Sequence, residues 1–161
     1  MFINENRELV VDGQTYPLQS LAVDAMVHVY NTPNGIWYAT QKRGKPRPMY
    51  AGVGGELIGQ LELPADPDSV ELVRQQNEID KLWDSADKFI HGQISGGALT
   101  AIKLSALNGN EQCQAVEAWY QGEWAEYYRR RDLITESGEN ANTDWSERPL
   151  IPYAVRDLLM G

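Results

Sequence analysis

The stretch PADPDS at residues 64–69 separates two kinds of pattern in this chain of 161 residues. Two prolines three positions apart cannot continue a β-ladder, and Asp68 or Ser69 can cap a helix that follows. Short β-rich runs precede the stretch, and a helical period follows it. We therefore predict an α+β fold with an antiparallel β-meander over residues 1–64, a helical region over residues 66–135 and an extended C-terminal arm.

The β-region begins with a predicted hairpin. Asp12-Gly13 separates residues 9–11 from residues 14–16, and Asp-Gly tolerates the positive φ angles of a type I′ turn. Further along, a polar turn over residues 42–48 precedes a predicted strand over residues 49–59. Glycines within that strand mark bulges or bends.

A second hairpin is predicted from residues 26–30 and 36–40, joined by a five-residue loop that ends at Gly35. Side chains alternate between the two faces of its first strand. Val27 and Val29 share one face, and Met26, His28 and Tyr30 share the other. Since both faces carry apolar bulk, we expect turns or a helix to cover one and a partner to cover the other.

From Val70 onward, apolar residues recur at intervals of three and four, which predicts a long amphipathic helix ending at Gly92. The predicted stripe comprises Leu72, Gln76, Ile79, Trp83, Ala86 and Ile90, widened by Val73, Leu82 and Phe89. Its spacing permits a coiled-coil seam with another copy. Packing against the helix that begins at Glu111 is favoured over that seam.

Two more helices are predicted, over residues 98–107 and from Glu111 to about residue 134. The segment Asn108-Gly109-Asn110 separates them, because glycine accepts the left-handed C-cap conformation and Asn110 can cap the next helix. Arg129–Arg131 are placed in the last turn, where cations complement the helix dipole. The apolar stripe of this helix comprises Cys113, Val116, Tyr120, Trp124, Tyr127 and Ile134.

Residues 136–161 are predicted to form an acidic linker and a docking arm. Residues 135–148 are polar and aperiodic, which favours a loop. Trp145 is expected to anchor this loop by docking against the rest of the protein. Prolines favour an extended backbone over residues 149–153, and residues 154–160 can form a final helical turn or two. The apolar side chains of the arm need cover from their own helices or from an adjacent subunit.

Composition limits the classes of function. The net charge is −9, and the second half carries most of the acidity, which disfavours nucleic acid and anionic membranes as partners. Cys113 is the only cysteine, so neither a disulfide framework nor a cysteine-based zinc site is expected, and a reducing compartment is indicated. No leader pattern and no apolar run of about 18 residues is present, so we expect a soluble protein without a membrane span, metal or cofactor.

The candidate catalytic side chains also have simpler interpretations. His28 is predicted to be a packed or surface imidazole, and His91 to interact with a helix C-terminus. Glu117, Glu123 and Glu126 combine acids with aromatic residues, as glycosidase sites do. Acidic helix surfaces are far commoner, so no catalytic residue is assigned.

Two motifs could bind anions. Residues 52–55, GVGG, resemble a phosphate loop, but no Lys-Ser or Lys-Thr pair follows, and Glu56 would repel phosphate. A bulged strand is the preferred interpretation. The basic cluster Lys42, Arg43, Lys45 and Arg47 is interpreted as a solvated hairpin tip, with nucleic acid or an acidic protein face as the alternative ligand.

Residues 118–131, AWYQGEWAEYYRRR, and residues 149–159, PLIPYAVRDLL, carry a family resemblance. They resemble the C-terminal part of small tail-module proteins of tailed bacteriophages and prophages, the tail-fibre and baseplate accessory proteins. The shared features are a W-x-x-Y-Y-basic helix, a loose acidic linker and a closing P-Y-x-V-x-[ED]-L segment. The resemblance covers roughly the last third of the chain and implies protein partners and no catalytic residue.

The resemblance implies a non-enzymatic structural component of a phage tail tip, baseplate or tail-fibre network, bound in the virion to other tail proteins and to itself. One alternative is a tail-fibre assembly chaperone that acts in the host cytoplasm. Another is a carbohydrate-binding or carbohydrate-active protein whose Trp and Tyr side chains stack on sugars. The candidate protein-interaction residues are Trp119, Tyr120, Trp124, Tyr127, Tyr128, Trp145, Pro152, Tyr153 and Leu158.

Overall fold

The computed structural model describes residues 1–46, 55–139 and 141–160. Six strands and four helices form within these residues, which confirms the predicted α+β class. The chain divides into two compact units, a first unit Met1–Arg74 and a second unit Gln75–Gly161. Residues 47–54, with Arg47 of the basic cluster and most of the GVGG motif, lie outside the described residues.

The first unit begins with an antiparallel sheet in the order β1-β2-β3, formed by β1 (Phe2–Ile3), β2 (Glu8–Val11) and β3 (Gln14–Pro17). The turn between β2 and β3 has positive φ at both central residues, 50° at Asp12 and 82° at Gly13. A type I′ turn requires this geometry. The first predicted hairpin is therefore confirmed.

A second antiparallel sheet has the order β5-β4-β6, with β4 (Ala25–Thr32) between β5 (Gly35–Lys42) and β6 (Glu56–Leu63). The predicted five-residue loop between β4 and β5 was wrong. Pairing continues out to Thr32 and Gly35, so only two residues connect the strands. The Thr32 hydroxyl donates a hydrogen bond to the Gly35 carbonyl at 2.8 Å, which supports the longer pairing.

The two faces of β4 differ as the alternation predicted. Val27 and Val29 are fully buried in a core that they share with Leu9 and Val11 of β2. Met26, His28 and Tyr30 project from the opposite face, the outer face of the second sheet. His28 and Tyr30 are buried there, at 2% and 5% exposed, so at these two positions the cover expected from a partner comes from the chain itself. Near the bulge at Val29 and Tyr30, β6 shifts register against β4.

Helix α1 (Pro67–Gln93) begins three residues before the predicted start at Val70. Proline suits the first turn of a helix, because the amide proton it lacks has no intrahelical partner there. Asp66, rather than Asp68 or Ser69, precedes the helix. Its carboxylate accepts a hydrogen bond from the Ser69 hydroxyl at 2.8 Å, and this bond lowers the pKa of Asp66.

Helices α2 (Gly96–Leu107) and α3 (Glu111–Ser137) meet at the predicted break. Gly109 has a φ of 89°, and the Asn110 side chain accepts a hydrogen bond from the Cys113 amide at 3.0 Å, so the predicted cap is confirmed. The predicted end near residue 134 was wrong, because α3 continues to a left-handed cap at Gly138 with a φ of 66°. Arg129–Arg131 therefore lie before the last turn, which contains no basic residue.

The predicted packing of α1 against α3 is confirmed, but the predicted stripe is partly wrong. Leu82, Ala86 and Ile90 of α1 form a buried cluster with Tyr127 and Ile134 of α3. Two members of the stripe are instead solvent-exposed, Leu72 at 65% and Trp83 at 47%. The predicted stripe is therefore correct at Ala86 and Ile90, which face the core, and wrong at Leu72 and Trp83.

The C-terminal arm ends in the short helix α4 (Val155–Met160). Ile151, Val155 and Leu158 pack against a second cluster of the second unit, formed around α2 and the first half of α3. At these positions α2 and α3 of the same chain cover the arm. Leu150 and Met160 remain exposed.

Candidate functional site

A buried carboxylate, that of Glu123 on α3, accepts three hydrogen bonds in the second unit. Its residue is 1% exposed. Trp145 Nε1 donates a hydrogen bond to Oε2 at 2.9 Å, and Arg148 donates to both oxygens at 3.0 and 2.9 Å. A buried carboxylate is tolerated when charge and hydrogen bonds compensate it in this way. Glu123 is thus engaged in a structural contact, and it is not the surface acid that the sequence suggested.

Arg130 holds the backbone that leads to Trp145. Its guanidinium lies 4.5 Å from the Trp145 ring centroid, and Nη1 donates to the carbonyls of Asn142 and Asp144 at 2.7 and 2.9 Å. Nε donates to Glu126 Oε1 at 2.8 Å. A planar guanidinium can stack and donate in several directions at once, whereas a lysine cannot. This contact orders part of the acidic linker that was predicted to be a loop.

Glu126 also binds the neighbouring Arg129. Two hydrogen bonds join them, from Arg129 Nε at 2.7 Å and from Nη2 at 2.8 Å. These bonds, with those from Arg130, lower the pKa of Glu126 to about 2. The carboxylate is therefore ionised and paired, which does not suit the role of a general acid.

Residues 141–158, called the strap here, are fastened to α1 and α3 at further points. Trp119 Nε1 donates to the Pro149 carbonyl at 2.8 Å. The Ile151 amide donates to Gln93 Oε1 at 2.7 Å. The bond from Trp119 to Pro149 joins the two segments that carry the tail-module resemblance. The predicted docking of Trp145 is confirmed, since Trp145 is 1% exposed.

The structure distributes the nine candidate interaction residues between interior and surface. Tyr127 and Trp145 are buried. Four more are partly buried against the helical clusters: Trp119, Tyr120, Trp124 and Leu158. The three exposed ones are Tyr128, Pro152 and Tyr153. Most of these side chains therefore pack within the unit itself, and the exposed three are the most accessible to a partner.

A different accessible surface lies on α2 and was not singled out from the sequence. Leu99, Ile102 and Ala106 of α2 are buried, whereas Leu104 and Leu107 on the opposite side are 59% and 82% exposed. This opposite side, with Ala101 and Thr100, is called the outer face of α2. The signal was available, because Lys103 is the only charged residue in the sequence of α2. A helix that is apolar on all sides is normally covered on all sides.

The other candidate groups belong to different elements of the chain. Cys113 is buried, and His91 Nδ1 lies 2.8 Å from Asp87 Oδ1. Arg43 of the basic cluster is exposed and lies 3.9 Å from Asp24. Within residues 1–46, 55–139 and 141–160, no group of three His, Cys, Asp or Glu side chains is placed to hold a metal ion.

Comparison with known proteins identifies no relative of this chain. No known family's sequence profile matches the chain, and neither a curated protein nor a solved structure is significantly similar to it. In the part of the chain that the structure describes, no helix combines the length and apolar character that crossing a membrane requires. The outer face of α2 and the strap are thus the features from which a function can be argued.

Proposed function

We propose that the chain is a non-enzymatic component of a protein assembly, and that this assembly is the tail tip, baseplate or tail-fibre network of a tailed bacteriophage. The tail assignment is supported by the resemblance of residues 118–131 and 149–159. The assembly role is supported by one structural observation, the outer face of α2. The partner of that face is a second copy of this chain.

The outer face of α2 favours contact with another protein because its apolar side chains are unfavourably hydrated. Leu104 and Leu107 lie one helical turn apart on this side, and both are mostly exposed. Complete burial of one leucine side chain contributes about 1.5–3 kcal/mol, so covering both supplies a substantial share of a binding free energy. The core of the unit is filled by the other side of α2, so Leu104 and Leu107 remain available for a partner.

A second copy suits this face because the face carries no charge. The whole chain has a net charge of −9, so most pairs of surfaces from two copies repel each other. The one cation of α2, Lys103, lies 5.4 Å from the Tyr120 ring centroid. Two outer faces of α2 can therefore meet about a two-fold axis without opposing like charges.

Self-association is tested by the molar mass of the purified chain over a range of concentrations. We expect an oligomer for the wild type and a monomer for Leu107→Lys, because a lysine there must be desolvated in the interface. Leu150→Lys is the matched control, since Leu150 is 72% exposed and lies outside α2. A wild-type chain that stays monomeric at all concentrations contradicts the proposed self-contact.

The tail assignment is tested by mass spectrometry of purified phage or induced-prophage particles. We expect the chain in the particles, in a fixed copy number relative to the tail-tube protein. A chain that is abundant in the lysate and absent from the particles would overturn the structural role. That outcome would instead favour the assembly chaperone.

A further inference from the structure

The second sheet of the first unit has an edge strand that lacks the usual protections against further pairing. An edge strand presents unpaired backbone N–H and C=O groups, and native proteins block such edges with short strands, charges, prolines, bulges or a covering element. In the part of the chain that the structure describes, the two sheets have four edge strands: β1 and β3 in the first, β5 and β6 in the second.

Three of these four edges are protected. Strand β1 has only two residues. Strand β3 has four residues and ends at Pro17, which lacks an amide proton. Strand β6 carries Glu56 and Glu62 and shifts its register against β4. Each of these features hinders pairing with an incoming strand.

Strand β5 differs from the other edges in length, register and charge. All eight of its residues pair with β4 in one continuous register. From Gly35 to Gln41 the strand contains no proline and no charged residue. Among the described residues, β4 is the only element with which β5 makes extensive backbone contact. Because the residues of an antiparallel strand bond alternately to its two sides, half of the β5 amide and carbonyl groups point away from β4.

A hydrogen bond joins β5 to β3 without covering this edge. The Tyr38 hydroxyl donates to the Pro17 carbonyl. Tyr38 pairs with the buried Val29, so its side chain projects from the inner face of the second sheet. The contact with Pro17 is therefore made on the inner side of the sheet and not along the edge of β5.

The three described members of the basic cluster form a turn at the end of β5. Lys42, Arg43 and Lys45, called the basic turn here, are all exposed. The Lys45 amide donates to the Lys42 carbonyl at 3.0 Å, and the Arg43 amide donates to the Asp24 carbonyl at 3.1 Å, so the turn has a defined conformation. The Asp24 carboxylate lies 3.9 Å from Arg43 and offsets one of the three positive charges. This end of the β5 edge therefore attracts acidic groups.

We propose that the edge of β5 binds an extended segment of a partner protein, which adds a strand to the second sheet and begins with acidic residues. Antiparallel pairing places the start of that segment beside Lys42 and Arg43, where its carboxylates meet the cations. A second copy of β5 fits less well, because antiparallel pairing would place each basic turn beside the uncharged loop Pro33-Asn34 of the other copy. The site is independent of the outer face of α2 and of the tail assignment.

Selection of peptides from a random-sequence library on the purified full chain tests the proposal. We expect the selected peptides to lack proline in their middle and to carry Asp or Glu near the N-terminus. In hydrogen exchange followed by NMR, a selected peptide should protect the β5 amides that point away from β4 and leave the edge amides of β3 unchanged. A selection that yields no peptide, or peptides that protect no β5 amide, would overturn the proposal. Protection of these amides by raising the concentration of the chain alone would assign the edge to a second copy and contradict it.

Charge reversal in the basic turn tests where the acidic residues of the partner lie. Arg43→Glu is expected to weaken the binding of a selected peptide about tenfold, because an attractive pair of charges becomes a repulsive one, and the loss should fade at high salt. Lys88→Glu is the matched control, since the Lys88 side chain is also mostly exposed and lies on α1. Equal weakening by both variants would show that only the net charge of the chain matters, which contradicts the proposed position of the acidic residues.

Discussion

Trp145 Nε1 donates a hydrogen bond of 2.9 Å to the buried Oε2 of Glu123, 22 residues earlier in the chain. This bond joins the strap to the middle of α3. It also satisfies one lone pair of a carboxylate that is 1% exposed. The pair links the strap to α3, and its loss is expected to affect the whole second unit.

Trp145→Phe tests the energetic weight of this bond. The variant keeps an aromatic ring but leaves Oε2 of Glu123 with one donor fewer, so we expect a loss of about 1–3 kcal/mol of stability. Chemical denaturation followed by helical circular dichroism measures it. Trp83→Phe is the control, because Trp83 is 47% exposed. A change equal to that of the control would mean that the bond contributes nothing.

Arg130→Lys is expected to loosen the strap locally. Lysine keeps the charge but cannot stack on the Trp145 ring while it donates to the carbonyls of Asn142 and Asp144. Hydrogen exchange should accelerate at the amides of residues 144–148. Arg129→Lys, whose guanidinium binds only Glu126 in the bonds described above, should leave the exchange of these amides unchanged. Similar acceleration in both variants would show that the Arg130 contacts do not order the strap.

Glu126 gives the second unit a defined acid sensitivity. Its pKa falls from an ordinary value of 4.5 to about 2 on folding, mainly through hydrogen bonds from Arg129. A lowered pKa stabilises the folded state fully above the unfolded value, and this contribution disappears as the pH falls through the folded value. The stability difference between wild type and Glu126→Gln should therefore shrink between pH 4.5 and 2. A difference that is constant over this range would contradict the pairing.

Two glycines of α3 and its cap should respond oppositely to alanine. Gly122 lies inside the helix with nothing within 4 Å of an added Cβ, so Gly122→Ala should stabilise the unit by about 0.5–1 kcal/mol. Gly138 has a φ of 66°, so Gly138→Ala should destabilise it by about 1–2 kcal/mol. Thermal unfolding of both variants measures the two effects. Shifts of the same sign would show that α3 does not end at this cap.

Local sequence signals predicted local structure well. Asp12-Gly13 specified a hairpin, and Asn110 specified a helix cap, because each acts on atoms within a few residues. The spacing in α1 did not decide how much of the predicted stripe is buried. Ala86 and Ile90 pack against α3, whereas Leu72 and Trp83 are exposed, because the contacts with α3 do not cover them.

The contact at Glu123 was missed for the same physical reason. Its partners Trp145 and Arg148 lie 22 and 25 residues away, and no local period links them. A signal was nevertheless present. Glu123 lies seven residues after Val116 and four before Tyr127, which places a carboxylate on the apolar side of α3 and requires a cation elsewhere to accompany it.

The strap has a consequence for the order of events during synthesis. Until Trp145 and Arg148 have emerged from the ribosome, α3 contains a carboxylate on its apolar side that only water can solvate. Burying a charge that lacks its partner costs about 3–5 kcal/mol, so α3 cannot close onto α1 in its final arrangement before then. The second unit therefore completes its folding only after the strap has been synthesised and supplies the missing donors.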